Sequence, residues 1–426
     1  MNTPSRLVSS SRNVQVGHVQ SCQLCAGDLE LILDLGFHAP CDSLSTREQL
    51  DEMERTYPLR FVRCRECGLA QIDHVVAPAE LFYADYPYRS GITETLKKNL
   101  MGIAQVLVKN LGLAKGSFVI DLGSNDGTTL QGFKKEGMRV LGVEPTNIAQ
   151  IAIANGVPTI QKFFSEATAA EITETHGKAT VVTANNVFAH IPNLEDLIRG
   201  VEALLVEDGI FLTESHYLPE LLKSAQYDSI YHEHLKYYSA RTLCRLFDNY
   251  DFTVVDAERI SNYGGSIRLY ARKGRGHRLA DRLRTLLADE DRFMTDEAGV
   301  YRRFVEKVHR SKWDLLALLL DIRKQGKRVV GIGCPGRCST LLNYCGIGPG
   351  LLRYIAEQPD CLKVGMFLPG RHIPIVDEKI MLEESPDYAV MLSWHYFRPI
   401  VDKLRQKGLT SKIILPLPEV RILEDG

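Results

Sequence analysis

The stretch "GSFVIDLGSNDGTTLQGF", residues 116–133, decides the fold. Its apolar run at 118–122 suits one buried strand, the glycines that follow allow a tight turn, and a helix is expected to begin at Thr128. A second buried strand, "RVLGVEP" at 139–145, contains Glu144 at its end. The order of strand, glycine loop, helix and strand with a terminal acid predicts the nucleotide-binding half of a doubly wound α/β domain.

The loop between this strand and helix indicates the kind of ligand. Asp121 and Glu144 are 23 positions apart, which matches the distance to the ribose-binding acid of dinucleotide domains. The loop reads G-S-N-D-G, however, and lacks the middle glycine that lets the backbone approach a pyrophosphate. We therefore expect S-adenosylmethionine rather than NAD, and an α/β domain without a ligand here is the alternative. The residues expected at this cofactor are Asp121, Gly123, Asn125, Asp126, Glu144, Asn185 and Asn186.

The alternation of strands and helices continues toward the C-terminus. Strands are expected within 179–193 and 209–215, and residues 251–260 and 264–273 are typical of a closing antiparallel pair. Leucines at helical spacing amid dense charge then predict a helical linker, and a second α/β unit begins with the strand "KRVVGIG".

This second unit contains a literal G-x-G-x-x-G, with Gly331, Gly333 and Gly336 in "GIGCPG". Glu357 lies about where a ribose-binding acid would fall. Pro335 removes one N–H from the loop that would hold a phosphate, which weakens the dinucleotide interpretation. A turn of purely architectural use, or a nucleotide-related role without a dinucleotide, is favoured, and which of these applies stays open.

Four cysteines near the N-terminus form two C-x-x-C pairs separated by 38 residues. Each pair lets one turn present two thiolates to a tetrahedral ion, and Gly27 and Gly68 follow closely where a tight turn needs a permissive residue. The pattern predicts a structural zinc site, with unpaired core thiols or a redox pair as alternatives. The expected ligands are Cys22, Cys25, Cys64 and Cys67.

Composition narrows the partners and the compartment. The chain has 426 residues, a net charge of -2 and ten cysteines. No basic field indicates nucleic acid or a membrane surface, and no apolar run approaches the roughly 18 residues that span a bilayer. The N-terminus has no apolar signal region, so we expect a disordered leader and a reducing, cytoplasmic location.

The segment "YHEHLKYYS", residues 231–239, gathers two histidines, a glutamate and three tyrosines. A metal site, an acid/base site and a polar aromatic surface are each compatible with it. The thiolates already account for a metal, and an adenosylmethionine loop lies upstream, so the acid/base interpretation is favoured. His234 is the expected base because imidazole titrates near working pH. Glu233 could orient it or share the proton, and Tyr231 could donate to, or accept from, an enolate oxygen.

Six motifs in order carry a resemblance: the paired C-x-x-C units, "DLGSNDG", "ANNVFAHIPN", "YHEHLKYYS", "YGGSIRLY" and "LPGRHIPIV". Together they resemble the three-domain sugar C-methyltransferases that act on nucleotide-linked ketodeoxysugars. The resemblance implies an α/β protein with a zinc-binding domain, a central Rossmann-like adenosylmethionine domain and a C-terminal Rossmann-like domain. The segments expected are a leader at 1–19, the zinc-binding domain at 20–80, the methyltransferase domain at 81–276, the helical linker at 277–326 and the substrate-binding domain at 327–426.

The same resemblance implies the site. Tyr231, Glu233, His234 and His190 match the family's active-site positions. If the segment 231–239 is extended, alternate residues face opposite ways, so His232 is expected to point elsewhere. Candidate substrate residues are Tyr86 and Tyr88 as a lid over the sugar, and Arg337 and Arg371 as diphosphate partners. Cys334 and Cys338 depart from the family's pattern.

The expected activity is C-methylation next to the ketone of a nucleotide-linked sugar, with carbon 3 of a dTDP-4-keto-6-deoxysugar as the family's usual site. An O- or N-methyltransferase on a related sugar nucleotide and a zinc-ribbon RNA methyltransferase are the alternatives. The RNA enzyme would need a basic track that this sequence lacks.

Overall fold

The computed structural model describes residues 16–83, 91 and 94–424, with the side chains of 94–96 outside the description. The N-terminal domain consists of short strands: β1, Gly17–His18; β2, Leu29–His38; β3, Tyr57–Cys64; β4, Ala70–Ile72; and β5, His74–Val75; with one helical turn, α1, Pro78–Leu81. β1 pairs antiparallel with β5, so the leader predicted at 1–19 extends too far. A strand of two residues leaves no periodic pattern in the sequence from which it could have been predicted.

The central domain is a seven-stranded sheet with helices on both faces. Its strands are β6, Phe118–Leu122; β7, Arg139–Val143; β8, Thr159–Ile160; β9, Ala179–Asn185; β10, Leu205–His216; β12, Phe252–Ile260; and β13, Ser266–Lys273; a further strand of the same region, β11, is Lys236–Tyr237. The helices are α2, Glu94–Leu111; α3, Thr128–Lys135; α4, Ile148–Ala154; α5, Glu166–His176; α6, Leu194–Leu204; α7, Leu218–Lys223; and α8, Ala240–Phe247.

The order of this sheet is β12-β13-β10-β9-β6-β7-β8. β6 to β10 are parallel, and β13 is inserted antiparallel between β10 and β12. The doubly wound fold and the closing antiparallel pair predicted from sequence are therefore confirmed. The strand order reverses between β6 and β9, and ligands of open α/β sheets bind at such a reversal, outside the carboxyl ends of the strands.

Two helices connect this domain to the last one: α9, Asp281–Phe293, and α10, Glu297–Lys324. The C-terminal sheet has the order β16-β15-β14-β17-β18-β19, parallel except for the last strand. Its elements are β14, Val329–Ile332; α11, Gly336–Cys345; β15, Ile355–Glu357; β16, Ile375–Asp377; α12, Glu378–Glu384; β17, Tyr388–Met391; α13, Phe397–Gln406; β18, Lys412–Leu415; and β19, Arg421–Ile422. Across the described ranges, no helix is both long and apolar enough to span a membrane.

The domains share structure rather than only touching. β11 leaves the central domain and pairs antiparallel with β4, so it completes the N-terminal sheet in the order β11-β4-β3-β2. Phe61 of β3 packs on Tyr237 of β11 and on Phe304 of α10, with ring centroids 5.2 and 6.0 Å away. One apolar core therefore joins the zinc-binding domain, the segment 231–239 and the linker.

Candidate active site and zinc centre

Four thiols converge in the N-terminal domain. Cys22 and Cys25 lie in the turn before β2, and Cys64 and Cys67 lie at and just after the end of β3. All four sulfur atoms are within 4.8 Å of one another, with 3.5 Å between Cys22 and Cys67 and 3.4 Å between Cys25 and Cys64. Zinc–sulfur bonds of about 2.3 Å place tetrahedral sulfurs about 3.8 Å apart, so the cluster fits a structural zinc ion.

The backbone around these thiols also fits a metal-bound thiolate. The N–H of Leu24 donates to Cys22 Sγ over 3.3 Å, and the N–H of Glu66 donates to Cys64 Sγ over 3.4 Å. Gly68 has a φ of +75°, and a Cβ on Gly27 would lie 1.4 Å from the Glu66 carboxylate. With four sulfur ligands the ion keeps no open position, and its role is to hold the domain together.

A cavity lies at the carboxyl ends of β6, β7 and β9. Six of the seven residues predicted to contact the cofactor line it: Asp121, Gly123, Asn125, Glu144, Asn185 and Asn186. Gly123 has a φ of +64°, and a Cβ there would lie 2.3 Å from Val187 Cγ2. Only glycine therefore leaves this wall of the cavity open.

Glu144 is fixed at the end of β7. Its carboxylate accepts the N–H of Asn125 over 3.0 Å, and it accepts the N–H and the hydroxyl of Thr146 over 2.9 and 2.7 Å. These donors fix the orientation of the carboxylate, whose remaining lone pairs can accept from a pair of vicinal hydroxyls.

Several polar atoms in the cavity wall point to a ligand. The Oγ of Ser124, both amide atoms of Asn185 and the Oδ1 of Asn186 are buried, and the described residues offer them no hydrogen-bond partner. Buried polar atoms are nearly always paired in folded proteins. The cavity therefore fits a polar nucleoside such as that of S-adenosylmethionine.

The two aspartates of the loop behave differently. Burial raises the pKa of Asp121 to about 7, even though the Thr183 hydroxyl donates to it over 2.5 Å. Asp126 does not line the cavity, because its carboxylate accepts from the N–H and hydroxyl of Thr128 and from the N–H of Gly91. The prediction that Asp126 contacts the cofactor is thus not supported, since the carboxylate is used to start α3.

Three histidines form a cluster beside the cavity. The ring centroid of His234 lies 4.9 Å from that of His190 and 4.7 Å from that of His216. His234 Nδ1 lies 2.8 Å from the Ser229 carbonyl oxygen, which can only accept, so Nδ1 carries the proton. In the neutral ring the lone pair is therefore on Nε2, as a base requires.

The environment keeps these rings neutral. Burial lowers the pKa of His190 to about 4, and burial with the charge of Arg337 lowers that of His216 to about 3. The pKa of His234 lies well below its usual value because of burial and the two neighbouring imidazoles. His190 also lines the cofactor cavity and stacks on Phe82, so the cluster is continuous with that cavity.

The rest of the segment 231–239 surrounds His234. The Tyr231 ring centroid lies 4.0 Å from that of His234, and burial raises the tyrosine's pKa well above its usual value, so its hydroxyl stays a donor. The Cys41 thiol of the N-terminal domain donates to Glu233 Oε1 over 3.4 Å. His232 points away, with Nε2 3.2 Å from the Pro58 carbonyl oxygen, as predicted. The reason differs, because residues 231–233 form a turn rather than an extended chain.

Arg337 does not offer its guanidinium to a diphosphate. It is buried and forms a bidentate pair with Asp228, with Nε–Oδ2 and Nη2–Oδ1 distances of 2.8 Å. Nη1 donates to the Tyr263 carbonyl oxygen over 3.1 Å and lies 3.3 Å from His395 Nδ1. Arg371 differs: Nη2 donates to the Asn343 carbonyl oxygen, while its buried Nε has no partner in the described part of the chain.

The G-x-G-x-x-G loop before α11 is filled by protein groups. Glu357 accepts the Cys334 N–H over 2.6 Å. A Cβ on Gly336 would lie 3.8 Å from the Asp42 carboxylate, which is paired with Lys363 over 2.5 Å. An acid thus stands at the helix N-terminus where a pyrophosphate would bind, which favours an architectural turn over a dinucleotide site.

Sequence reasoning missed His216, Asp228, Cys41 and Lys363. His216 directly follows the predicted strand "GIFLTES", and its position at the carboxyl end of a parallel strand was a usable signal. The others gave no signal, because their partners are more than a hundred residues away. The proposed lid residues Tyr86 and Tyr88 lie outside the described residues.

Three protein families match successive parts of the chain. Residues 22–82 match a zinc binding domain family, residues 93–257 a methyltransferase domain family, and residues 261–418 the C-methyltransferase C-terminal domain family. The C-methyltransferase NovU of Streptomyces niveus is 34% identical over 411 residues, which cover 95% of this chain and 97% of that protein.

Solved structures resemble a part of the chain. A 1,6-didemethyltoxoflavin-N1-methyltransferase of Burkholderia thailandensis is 20% identical, covers 50% of this chain and 97% of its own, and gives a TM-score of 0.36. The magnesium protoporphyrin IX methyltransferase of Synechocystis is 12% identical, covers 42% of this chain and 79% of its own, and gives a TM-score of 0.32.

The sheet order, the cavity at its strand ends and the matched methyltransferase domain define an S-adenosylmethionine-dependent methyltransferase with a structural zinc centre. More specifically, the chain belongs to the family of C-methyltransferases that includes NovU. Family membership favours transfer to carbon over the O-methyl, N-methyl and RNA alternatives considered above.

Proposed function

We propose that this C-methyltransferase acts on the carbon next to the ketone of a nucleotide-linked keto-deoxysugar, namely carbon 3 of a dTDP-4-keto-6-deoxysugar. The observation that carries the proposal is the hydrogen bond between His234 Nδ1 and the Ser229 carbonyl oxygen. It leaves the Nε2 lone pair of a buried, neutral imidazole free to take a proton, next to a cavity that fits the cofactor.

A C–H bond has no lone pair, so carbon must be made nucleophilic before it can be methylated. His234 Nε2 takes the proton from the carbon next to the ketone, and the electron pair of that C–H bond becomes the enolate. Tyr231, whose hydroxyl stays protonated, would donate to the developing oxyanion or hold the sugar. S-adenosylmethionine, when bound, supplies an electrophilic methyl group for the enolate carbon.

The His190 ring lies between the base and the cofactor cavity. It contacts His234 on one side and Phe82 on the other, and it lines the cavity itself. These contacts support a role in aligning the acceptor carbon with the methyl group, because methyl transfer needs an in-line approach. Glu233 would hold the turn in place through its contact with Cys41.

The sugar nucleotide is supported by the motif order and by one open donor. Arg371 lies in "LPGRHIPIV" and keeps a buried Nε without a partner among the described groups, so it remains the candidate for the diphosphate. Arg337 is not a candidate for that role. It is the cation that positions Asp228 beside the turn at 231–233, hereafter the catalytic turn.

The test is mass spectrometry of the reaction with S-adenosylmethionine and a dTDP-4-keto-6-deoxysugar in deuterated water. We expect a product heavier by one methyl group, and substrate deuterium exchange that disappears in His234→Asn. The exposed His309 provides the matched control, since His309→Asn should leave both readings unchanged.

Two outcomes would contradict the proposal. Transfer without any exchange, insensitive to His234→Asn, would indicate methylation at oxygen or nitrogen. Neither transfer nor exchange, in protein shown to hold zinc and S-adenosylmethionine, would remove this class of substrate.

A further inference from the structure

His216 occupies a position at the reacting centre that none of the roles above explains. It is the last residue of β10, and its neighbour in the sheet, β9, ends at Asn185 in the cofactor cavity. Its ring centroid lies 4.7 Å from His234 and 6.1 Å from Tyr263, another residue of the cavity wall. The imidazole therefore lies where the base and the cofactor cavity meet.

The His216 ring is not held by the protein. Within the described residues, no group forms a hydrogen bond with either ring nitrogen, although the side chain is partly buried. Neither nitrogen is among the fully buried polar atoms that lack a partner in the described part of the chain, so the ring is partly buried without being sealed from a ligand. A polar ring kept free of partners beside a base has its donor available for a ligand.

The protonation of the cluster separates the roles of the two rings. Burial, Arg337 and His190 keep His216 neutral at physiological pH, so it retains one N–H. His234 cannot supply a donor toward the substrate, because its only N–H is bound to the Ser229 carbonyl oxygen. His234 must accept, and the ring beside it can donate.

We propose that His216 is a further catalytic residue, which donates from its neutral ring N–H to the ketone oxygen of the substrate as the enolate forms. This inference rests on the proposed function. In the step, the C–H bond breaks, its proton goes to His234 Nε2, and the carbonyl π electrons move onto the oxygen. The His216 N–H bond stays intact. The hydrogen bond that it donates shortens as the oxygen becomes negatively charged. When the carbon takes the methyl group, the carbonyl is restored.

The proposal predicts one defect shared by two measurements. Removing one preorganised oxyanion donor costs about 10²–10³-fold in rate in other enzymes. His216→Phe keeps a ring of similar size but removes both nitrogens, so exchange of the substrate C–H and methyl transfer should both fall by about that factor. His216→Gln restores an N–H and should recover at least about tenfold of the loss.

The experiment measures exchange, kcat for transfer and S-adenosylmethionine affinity in the holoenzyme and both variants, with His309→Gln as the control. Equal loss of exchange and transfer in His216→Phe, with cofactor affinity retained and partial recovery in His216→Gln, supports the proposal. Rates within threefold of the unsubstituted enzyme in His216→Phe overturn it. The proposal is also overturned if His216→Phe loses transfer but keeps exchange, or if both His216→Phe and His216→Gln lose cofactor binding.

The two proposals fail in different ways. If the unsubstituted enzyme neither exchanges nor methylates the keto sugar, the proposed function is wrong and the role of His216 falls with it. If the unsubstituted enzyme exchanges and methylates the keto sugar, and His216→Phe does so at a similar rate, the proposed function stands and the inference about His216 is wrong.

Discussion

Among single residues, the buried histidines show how position changes chemistry. His190 lies in the segment after β9 and His232 in the turn at 231–233; His190 lines the cofactor cavity, whereas His232 faces Pro58 of the N-terminal domain. Burial lowers the pKa of each to about 4. A neutral imidazole suits the role proposed for His190, whereas at His232 it follows from packing against the N-terminal domain.

These depressed pKa values predict acid sensitivity. Above about pH 6.5 both native and unfolded histidines are neutral and contribute no pH dependence. Below that pH the unfolded chain takes up protons that the native state refuses until about pH 4, so stability falls as pH falls. Each such histidine removes about 1.4 kcal/mol of unfolding free energy per pH unit in this window.

His232→Gln isolates one of them. We expect urea unfolding at pH 7, 6 and 5 to show a pH slope smaller by about one proton in this variant. The exposed His309 serves as control, and His309→Gln should keep the slope of the unsubstituted protein. An unchanged slope in His232→Gln would mean that this imidazole protonates freely in the native state.

The role of a residue could be predicted from the sequence where consecutive elements bring its partners together. Glu144 and the loop around Gly123 meet because consecutive strands β6 and β7 pair, and both were predicted. The Asp228–Arg337 pair joins residues 109 positions apart, so an arginine expected at a diphosphate is instead neutralised by a carboxylate. The sequence alone does not show that a distant carboxylate competes with a phosphate for this arginine.

Among the elements, the turn from β6 to α3 has a backbone that requires glycine at two positions. Gly123 and Gly127 have φ of +64° and +77°, and the N–H groups of Gly123 and Ser124 both reach the Val143 carbonyl oxygen at the end of β7. The cavity exists because the backbone turns here without a side chain in the way.

Gly123→Ala should therefore damage the cofactor site beyond its backbone strain. The new Cβ would lie 2.3 Å from Val187 Cγ2 and would push that wall of the cavity. We expect S-adenosylmethionine affinity, measured by calorimetry, to fall at least about tenfold, since misplacement by 1 Å is costly. Gly116→Ala is the matched control, because Gly116 has a φ of +83° with no atom within 4 Å of its Cβ. Equal cofactor affinity in the two variants would contradict the steric argument.

Elements with strong apolar periodicity were predicted well, and those defined by distant pairing were not. β6, β7, α3 and the β12–β13 pair lie where the sequence placed them. The segment 231–239 was expected to be extended but forms a turn followed by the two-residue strand β11. Its conformation is set by pairing with Gln71 and Ala70 of β4, a partner that local patterns do not reveal.

In the whole molecule, the N-terminal domain contacts the segment that holds the proposed base. It contributes Cys41 to Glu233, Pro58 to His232 and the strand β4 to β11. Its Asp42 forms a buried ion pair with Lys363 of the C-terminal domain. The turn at 231–233 is therefore held by the N-terminal domain, which is itself tied to the C-terminal domain, whereas the sequence predicted three domains without these contacts.

This arrangement predicts that zinc controls activity without taking part in the reaction. Small zinc domains gain about 10 kcal/mol or more of folding free energy from the ion, which exceeds what a small apolar core supplies. Loss of zinc should release the turns at Cys22 and Cys64, loosen β3 and β4, and so free β11 and the catalytic turn. We expect chelated protein, and Cys25→Ser, to lose methyl transfer while residues 16–83 become sensitive to protease.

The control uses a thiol outside the cluster. Cys361 is half-buried and apart from the four ligands, so Cys361→Ser should keep one zinc per chain and full activity. Restoring zinc to the chelated protein should restore transfer, because the ion acts only through the fold. Full activity in zinc-free protein would show that the contacts of Cys41, Pro58 and β4 with the catalytic turn do not depend on the zinc centre. A transfer rate that changes with the identity of the metal restored to the site would instead place the ion in the chemistry, which its four sulfur ligands argue against.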